Sequence, residues 1–215
     1  MDTARMNPEI GDKNFPIWLL GDSNPRKWQN ILVSPLDPRN PARHSIWTPV
    51  LDVIQDRVFR RSRSRVDTSS IYIRNAVEDP DDKPPDNSMN WGIVLEQGIT
   101  EFCQQLDQYC PLLVFSFGAF SFEFIRRSLK EIPVYHYRYW DTNKLGIEFR
   151  RRLDGFDLNV VNALPLLHTS ISRGRFYESH NYFCQEEGRN YFEYVGNQIA
   201  DKLLEHAQQL KIWIE

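Results

Sequence analysis

Four short apolar runs, each closed by turn residues and each separated from the next by a stretch with helical spacing, constrain this chain more than any other feature. They are PIWLLG (16–21), SSIYIRNAV (69–77), PLLVFSF (111–117) and LNVVNALP (158–165). PLLVFSF reads as a strand buried on both faces, which is how strands of a parallel sheet read. Between and after the runs lie IWTPVLDVIQDRVF with Ser45 as its expected N-cap and Pro49 in its first turn, NWGIVLEQGITEFCQQLDQYC, GAFSFEFIRRSLKEI, TNKLGIEFRRRL and NYFEYVGNQIADKLLEHAQQL, all helical in period. Strands alternating with helices predict a three-layer α/β/α fold around a central four-stranded parallel sheet. We expect one domain over residues 1–215, with 1–15 as a polar lead-in.

Composition supports a packed globule. Residues are 41% hydrophobic and 13% aromatic, enough to bury a core without staples. No apolar run approaches the roughly 20 residues that span a bilayer, and MDTARMNPEIGDKNF lacks a signal-peptide hydrophobic region, so a soluble protein of the cytoplasm, or of the nucleus in a eukaryote, is expected. Cys103, Cys110 and Cys184 show no metal-binding spacing and read as core thiols; neither a metal nor another cofactor is expected. The net charge of −3 matters less than its placement, because Arg57, Arg60, Arg61, Arg63 and Arg65 fall within nine residues. That run reads either as a solvated exposed loop or as a positive field for a polyanion.

In open parallel sheets ligands sit beyond the carboxyl ends of the strands. The loops starting at Gly21, near Asn75, at Gly118 and at Leu166 should therefore converge, and they contain GDSNP, Asn75 and HTS. The serine in GDSNP, Ser23, follows a strand as the nucleophile of GDSL-type serine hydrolases does. None of the five histidines has the aspartate three positions earlier that such a triad needs, so this is the least favoured reading.

The order of elements resembles the uracil-DNA glycosylase superfamily. That family has a water-activating GQDPY-type loop after the first strand and a LLLN segment ending the second. A tryptophan-led helix precedes a VVFLLWG-type strand, and HPSPLS with RGF follows the fourth strand. The stretches here are GDSNP, IYIRNAV, NWGIVLEQGITEF with LLVFSFG, and HTSIS with RGRF, spanning about Pro16 to Glu205. The resemblance implies a DNA glycosylase acting on uracil or another deaminated or mismatched base. In it, a carboxylate or carboxamide of the first loop positions the attacking water, and the loop histidine stabilises the leaving base as charge develops on it. Gly21 and Pro25 lie four apart instead of three, so either Asn24 or Asp22 takes the water-positioning place, with Asn24 preferred; His168 takes the anion-stabilising place.

Asn75 is the implied base reader, Arg26 stands where the family's thymine-excluding aromatic stands, and Val33 or Trp28 stands where a stacking phenylalanine is expected. Ile171 is the candidate wedge for base flipping. Ser170, Ser172 and Arg173, with Arg60, Arg61 and Arg63, are the candidate phosphate contacts. The partner is then DNA, single- or double-stranded, with the protein a monomer. A glycosylase-like module that binds a nucleobase, nucleic acid or protein with little catalysis is the alternative.

Overall fold

A computed structural model describes residues 9–24, 37, 39, 46–168 and 176–214. Its centre is a four-stranded, all-parallel sheet in the order β3-β1-β4-β5, built from β1 (Ile17–Gly21), β3 (Tyr72–Asn75), β4 (Leu113–Phe117) and β5 (Asn162–Leu166). The helices are α1 (Thr48–Ser62), α2 (Gly92–Tyr109), α3 (Ala119–Ser128), α4 (Thr142–Asp154), α5 (Phe176–Cys184) and α6 (Tyr191–Glu205). Every residue of β1, β4 and β5 is buried, as a sheet covered on both faces requires. Two-residue strands β2 (Arg65–Val66) and β6 (Trp213–Ile214) add a small antiparallel ribbon. Among the described residues no helix is long and apolar enough to cross a membrane.

The strand order fixes where a ligand fits. From β1 the chain moves to β3 on one side, then returns past β1 to β4 and on to β5, so the direction of winding reverses between β1 and β4. Right-handed crossovers then put the connecting helices on opposite faces of the sheet. A crevice opens at the carboxyl ends of the two central strands. Pro165 fits β5 because that strand is at the edge: Asn162 N and Leu166 O face β4, so residue 165 presents its missing N–H outward.

Several local expectations are corrected. Trp47, not Ser45, occupies the N-cap position of α1, where no side chain caps the helix, and Pro49 does sit in the first turn; Ser45 itself lies outside the described residues. The arginine run is no loop. Arg57, Arg60 and Arg61 are on α1, Arg63 closes it in the left-handed conformation at φ 61°, and Arg65 is in β2. Arginine is a good helix former, so a charged run continues a helix as readily as it ends one.

The fourth strand starts at Asn162 because Asn162 ends a turn: its buried Nδ2 lies within 3.0 Å of the carbonyl oxygens of Leu112, Asp157 and Val160. Part of the expected lead-in belongs to the sheet, since Ile10 exchanges hydrogen bonds of 3.0 and 2.7 Å with Ile73 on the outer edge of β3. Of the three free thiols only Cys184 is in the core, whereas Cys110 is exposed at the end of α2.

Helices α1 and α6 pack closely through Gly196, where an added Cβ would lie 2.6 Å from Val53 Cβ and 3.2 Å from the Val50 carbonyl oxygen. Gly196→Ala should lower the melting temperature. Overpacking costs about 1–3 kcal/mol, more than the gain of up to about 1 kcal/mol in helix propensity. A rise in the melting temperature would mean that the two helices separate without penalty.

Candidate functional site

Gly21 ends β1 and Gly118 directly follows β4, and each glycine lets a neighbouring residue lie against it. A Cβ on Gly21 would stand 2.2 Å from Asn75 Oδ1, and one on Gly118 would stand 3.0 Å from His168 Cβ. Gly118 also has φ +97°, a conformation that side chains strain against. Asn75 and His168 therefore lean over the central strands, each packed on a glycine. The far walls of the crevice stand on the edge strands, Asn75 ending β3 and His168 two residues past β5. The edge strands that carry them are three interstrand spacings apart, roughly 14 Å between backbones, and both side chains reach inward from there.

The loop after β1 supplies the polar groups between them. Asn24 N donates to Glu78 O at 3.1 Å, and Val77 N donates to Asp22 O at 3.2 Å, which ties this loop to the one after β3. Asn75 Nδ2 donates to Asn24 Oδ1 at 2.8 Å, so the two carboxamides hold one another. Asp22 forms an ion pair of 2.6 Å with Lys83, whose ammonium also lies 5.7 Å above the Phe120 ring. Tyr137 donates a short hydrogen bond to Asp86, packs edge-on against Phe120, and has its phenol pushed up to about 12 by burial and then by Asp86.

His168 belongs electrostatically to the same cluster. Burial holds its imidazole below the usual histidine range; the Asp22 carboxylate opposes this and the Lys83 ammonium reinforces it. The ring is therefore neutral at pH 7, a hydrogen-bond donor without a proton to lose. Backbone N–H of the adjacent Leu167 donates 2.8 Å to Tyr191 Oη, which anchors the chain just before the histidine to the start of α6.

A depressed histidine has a stability signature. Between its lowered folded value and about 6.5 in the unfolded chain, the unfolded state binds more protons, so stability rises with pH through that interval and falls as pH falls through it. His180 is shifted down by burial with the same sign. The urea midpoint should therefore drop from pH 7 to pH 5, and His168→Gln should shrink that drop without abolishing it. An unchanged slope in the variant would mean that His168 titrates alike in both states.

The arrangement brings together Asp22, Asn24, Asn75 and His168 and leaves Arg60, Arg61 and Arg63 elsewhere. Val50 and Val53 meet Gly196 and Arg57 pairs with Asp201 at 2.7 Å, so α1 and α6 run in the same direction. Tyr191 at the start of α6 touches the chain just after β5, whereas His206 at its end stacks on Phe156, ahead of β5. The arginine end of α1 is thus at the amino edge of the sheet, opposite the crevice. There Arg60 pairs with Asp56 at 2.9 Å, and Arg63 and Arg65 lie over the Phe59 ring. Arg26, Trp28, Val33, Ser170, Ile171, Ser172 and Arg173 lie outside the described residues.

Lys83 and Tyr137 were not singled out from the sequence. Lys83 had a signal, as the one basic residue among the five carboxylates of EDPDDKPPD. Tyr137 had none, since it reaches the crevice only through the return of the chain after α3. Among the described residues no group of three or more histidine, cysteine or acidic side chains is placed to hold a metal ion. No protein-family model matches the chain, and no curated protein matches it.

Proposed function

We propose that the crevice hydrolyses the N-glycosidic bond of a damaged base in DNA, uracil or another deaminated or mismatched base, as its resemblance to the uracil-DNA glycosylase superfamily implies. The observation that carries this reading is the convergence of Asp22, Asn24, Asn75 and a neutral His168 from three strand ends, with Asn75 packed on Gly21 and His168 on Gly118. Breaking the bond leaves positive charge on the sugar and negative charge on the base, and stabilising both lowers the barrier. A base bound between Asn75 and His168 has the one to read its amide edge and the other to donate to a carbonyl oxygen as it becomes anionic. Asn24 or Asp22, in the loop after β1, would hold a water on the sugar side.

The test is incubation with single- and double-stranded oligonucleotides carrying uracil, hypoxanthine, xanthine or a mismatched thymine, with abasic sites scored by alkaline cleavage. Product above a His168→Ala control on at least one substrate is expected; none on any substrate ends the enzymatic reading. The 2.8 Å bond between Asn75 and Asn24 favours a second reading, in which the carboxamides stay committed to one another and the crevice binds a base without cleaving it. Saturable binding of the same oligonucleotides with no cleavage would select that reading.

A further inference from the structure

Two surface patches on either side of α3 carry charge of opposite sign and, among the described residues, most of the large apolar side chains that are exposed. The first lies on the opening turn of α2 and the loop after β3. Ile93 is 79% exposed, Val94 71% and Met89 50%, although α2 buries a different face through Leu95, Ile99, Phe102 and Leu106. Every charged residue lining the two depressions there is acidic: Glu78, Asp79, Asp82, Glu96 and Glu101. The second patch is a groove of about 770 Å³ between the end of α3 and α4, edged by Ile132 and Ile147. Ile132 is 87% exposed. Four cations, Arg126, Lys130, Lys144 and Arg151, line it with two carboxylates, Glu131 and Glu148; with the paired Arg152, Glu123 and Asp141 included, five cations face four carboxylates, a local excess of one positive charge on a chain of net charge −3.

Of the nine large apolar side chains exposed among the described residues, six lie in these patches or beside them in the chain, namely Met89, Ile93, Val94, Ile132, Val134 and Ile147. Scattered single apolar residues need no explanation, but two clusters with complementary rims do. The patches are also neighbours. Arg127 lies between them, 3.4 Å from Glu96 and 3.1 Å from the Met89 carbonyl oxygen on one side, and 2.9 Å from the Tyr135 carbonyl oxygen on the other. A two-fold axis near Arg127 would set the acidic patch of one copy on the basic groove of the other, twice, and close the assembly.

We propose that the occupant of the groove is the acidic, apolar start of α2 from a second copy of this chain, so that the protein self-associates through this pair of complementary patches. The groove is ready for a partner because its wall is rigid: Tyr135 and Tyr139 stack 3.9 Å apart, with Arg126 over one ring and Lys144 over the other. Opposite charges set the pairing and the exposed isoleucines supply the apolar contact.

Sedimentation velocity over a range of protein concentrations tests this. Wild-type protein should pass from monomer to dimer as concentration rises. Glu96→Lys with Glu101→Lys should remove the dimer, and so should Lys130→Glu with Arg151→Glu, because each sets like charges against each other. An equimolar mixture of the two double variants should dimerise again, since the reversed patch of one meets the reversed groove of the other. Melting curves of the variants establish that they are folded, and Ile93→Ser and Ile132→Ser serve as a second pair that weakens the dimer without changing charge. Wild-type protein monomeric throughout, either double variant dimerising like wild type, or folded variants that fail to associate on mixing would each overturn the proposal.

Discussion

Glu123→Ala is expected to lower the stability of the fold by about 3–5 kcal/mol, the usual cost of removing one partner of a buried ion pair. Glu123 has no exposed surface, yet it sits on α3 among phenylalanines. Its two oxygens are fully used: Oε2 accepts from Arg126 Nη1 at 2.8 Å and from Trp140 Nε1 at 2.7 Å, while Oε1 accepts from Tyr135 N at 2.9 Å and from Arg127 Nε at 3.4 Å. One carboxylate therefore fixes the return of the chain from α3 to α4, including the turn that carries Tyr137 to the crevice. Alanine would leave the Arg126 guanidinium, only 6% exposed, without its closest counter-charge, since Glu131 at 3.0 Å is shared with Arg152. Urea unfolding followed by circular dichroism measures the loss. Glu123→Gln keeps the side-chain volume and one acceptor oxygen, for either Trp140 or Tyr135, and should cost less than alanine. A loss below about 1 kcal/mol for alanine would mean that the aromatic packing alone holds this corner.

His168→Ala is expected to reduce glycosidic cleavage by about 10²–10³-fold, the effect of removing one donor from a developing anion. Its pH dependence separates this role from a structural one. Because burial keeps His168 neutral at pH 7, activity should not decline as pH rises through about 6.5, as it would if an imidazolium were required. The acid limb should lie below that value. His168→Gln, which retains an N–H donor, should recover part of the rate, and melting temperatures should show both variants folded. Equal rates for wild type and alanine would place the leaving base away from this wall. Gly118→Ala should act in the same direction, because its Cβ would press on His168.

The layout of the sheet was legible because it rests on patterns confined to short windows. PLLVFSF has no polar face, and a strand buried on both sides needs none. The rule that loops meet beyond carboxyl ends then predicts that GDSNP, Asn75 and HTS share one edge. What remained hidden depends on partners distant in the chain. Lys83 pairs with Asp22 across the crevice, and Glu123 looks in sequence like an ordinary polar helix residue. The ribbon of β2 and β6 is too short to show a period, and α5, with serine, histidine and asparagine among its aromatics, lacks a clean apolar stripe. The arginine run misled for a different reason: charge density says nothing about which end of a helix it marks.

That run stands far from the acidic loop after β3. Among the described residues, the arginines at the end of α1 mark the amino edge of the sheet, and the carboxylates of Glu78, Asp79, Asp81, Asp82 and Asp86 follow β3 at the other. The separation is about the length of α1, roughly 22 Å for a helix of this size. For a polyanion the arginine end of α1 is a point of attraction remote from the crevice. Productive encounters then require rotation after first contact, and salt, which shortens the reach of the field to about 8 Å at physiological strength, makes that rotation easier. Turnover of a DNA substrate at low concentration should accordingly rise with added salt before it falls, the reverse of an enzyme whose positive face surrounds its active site.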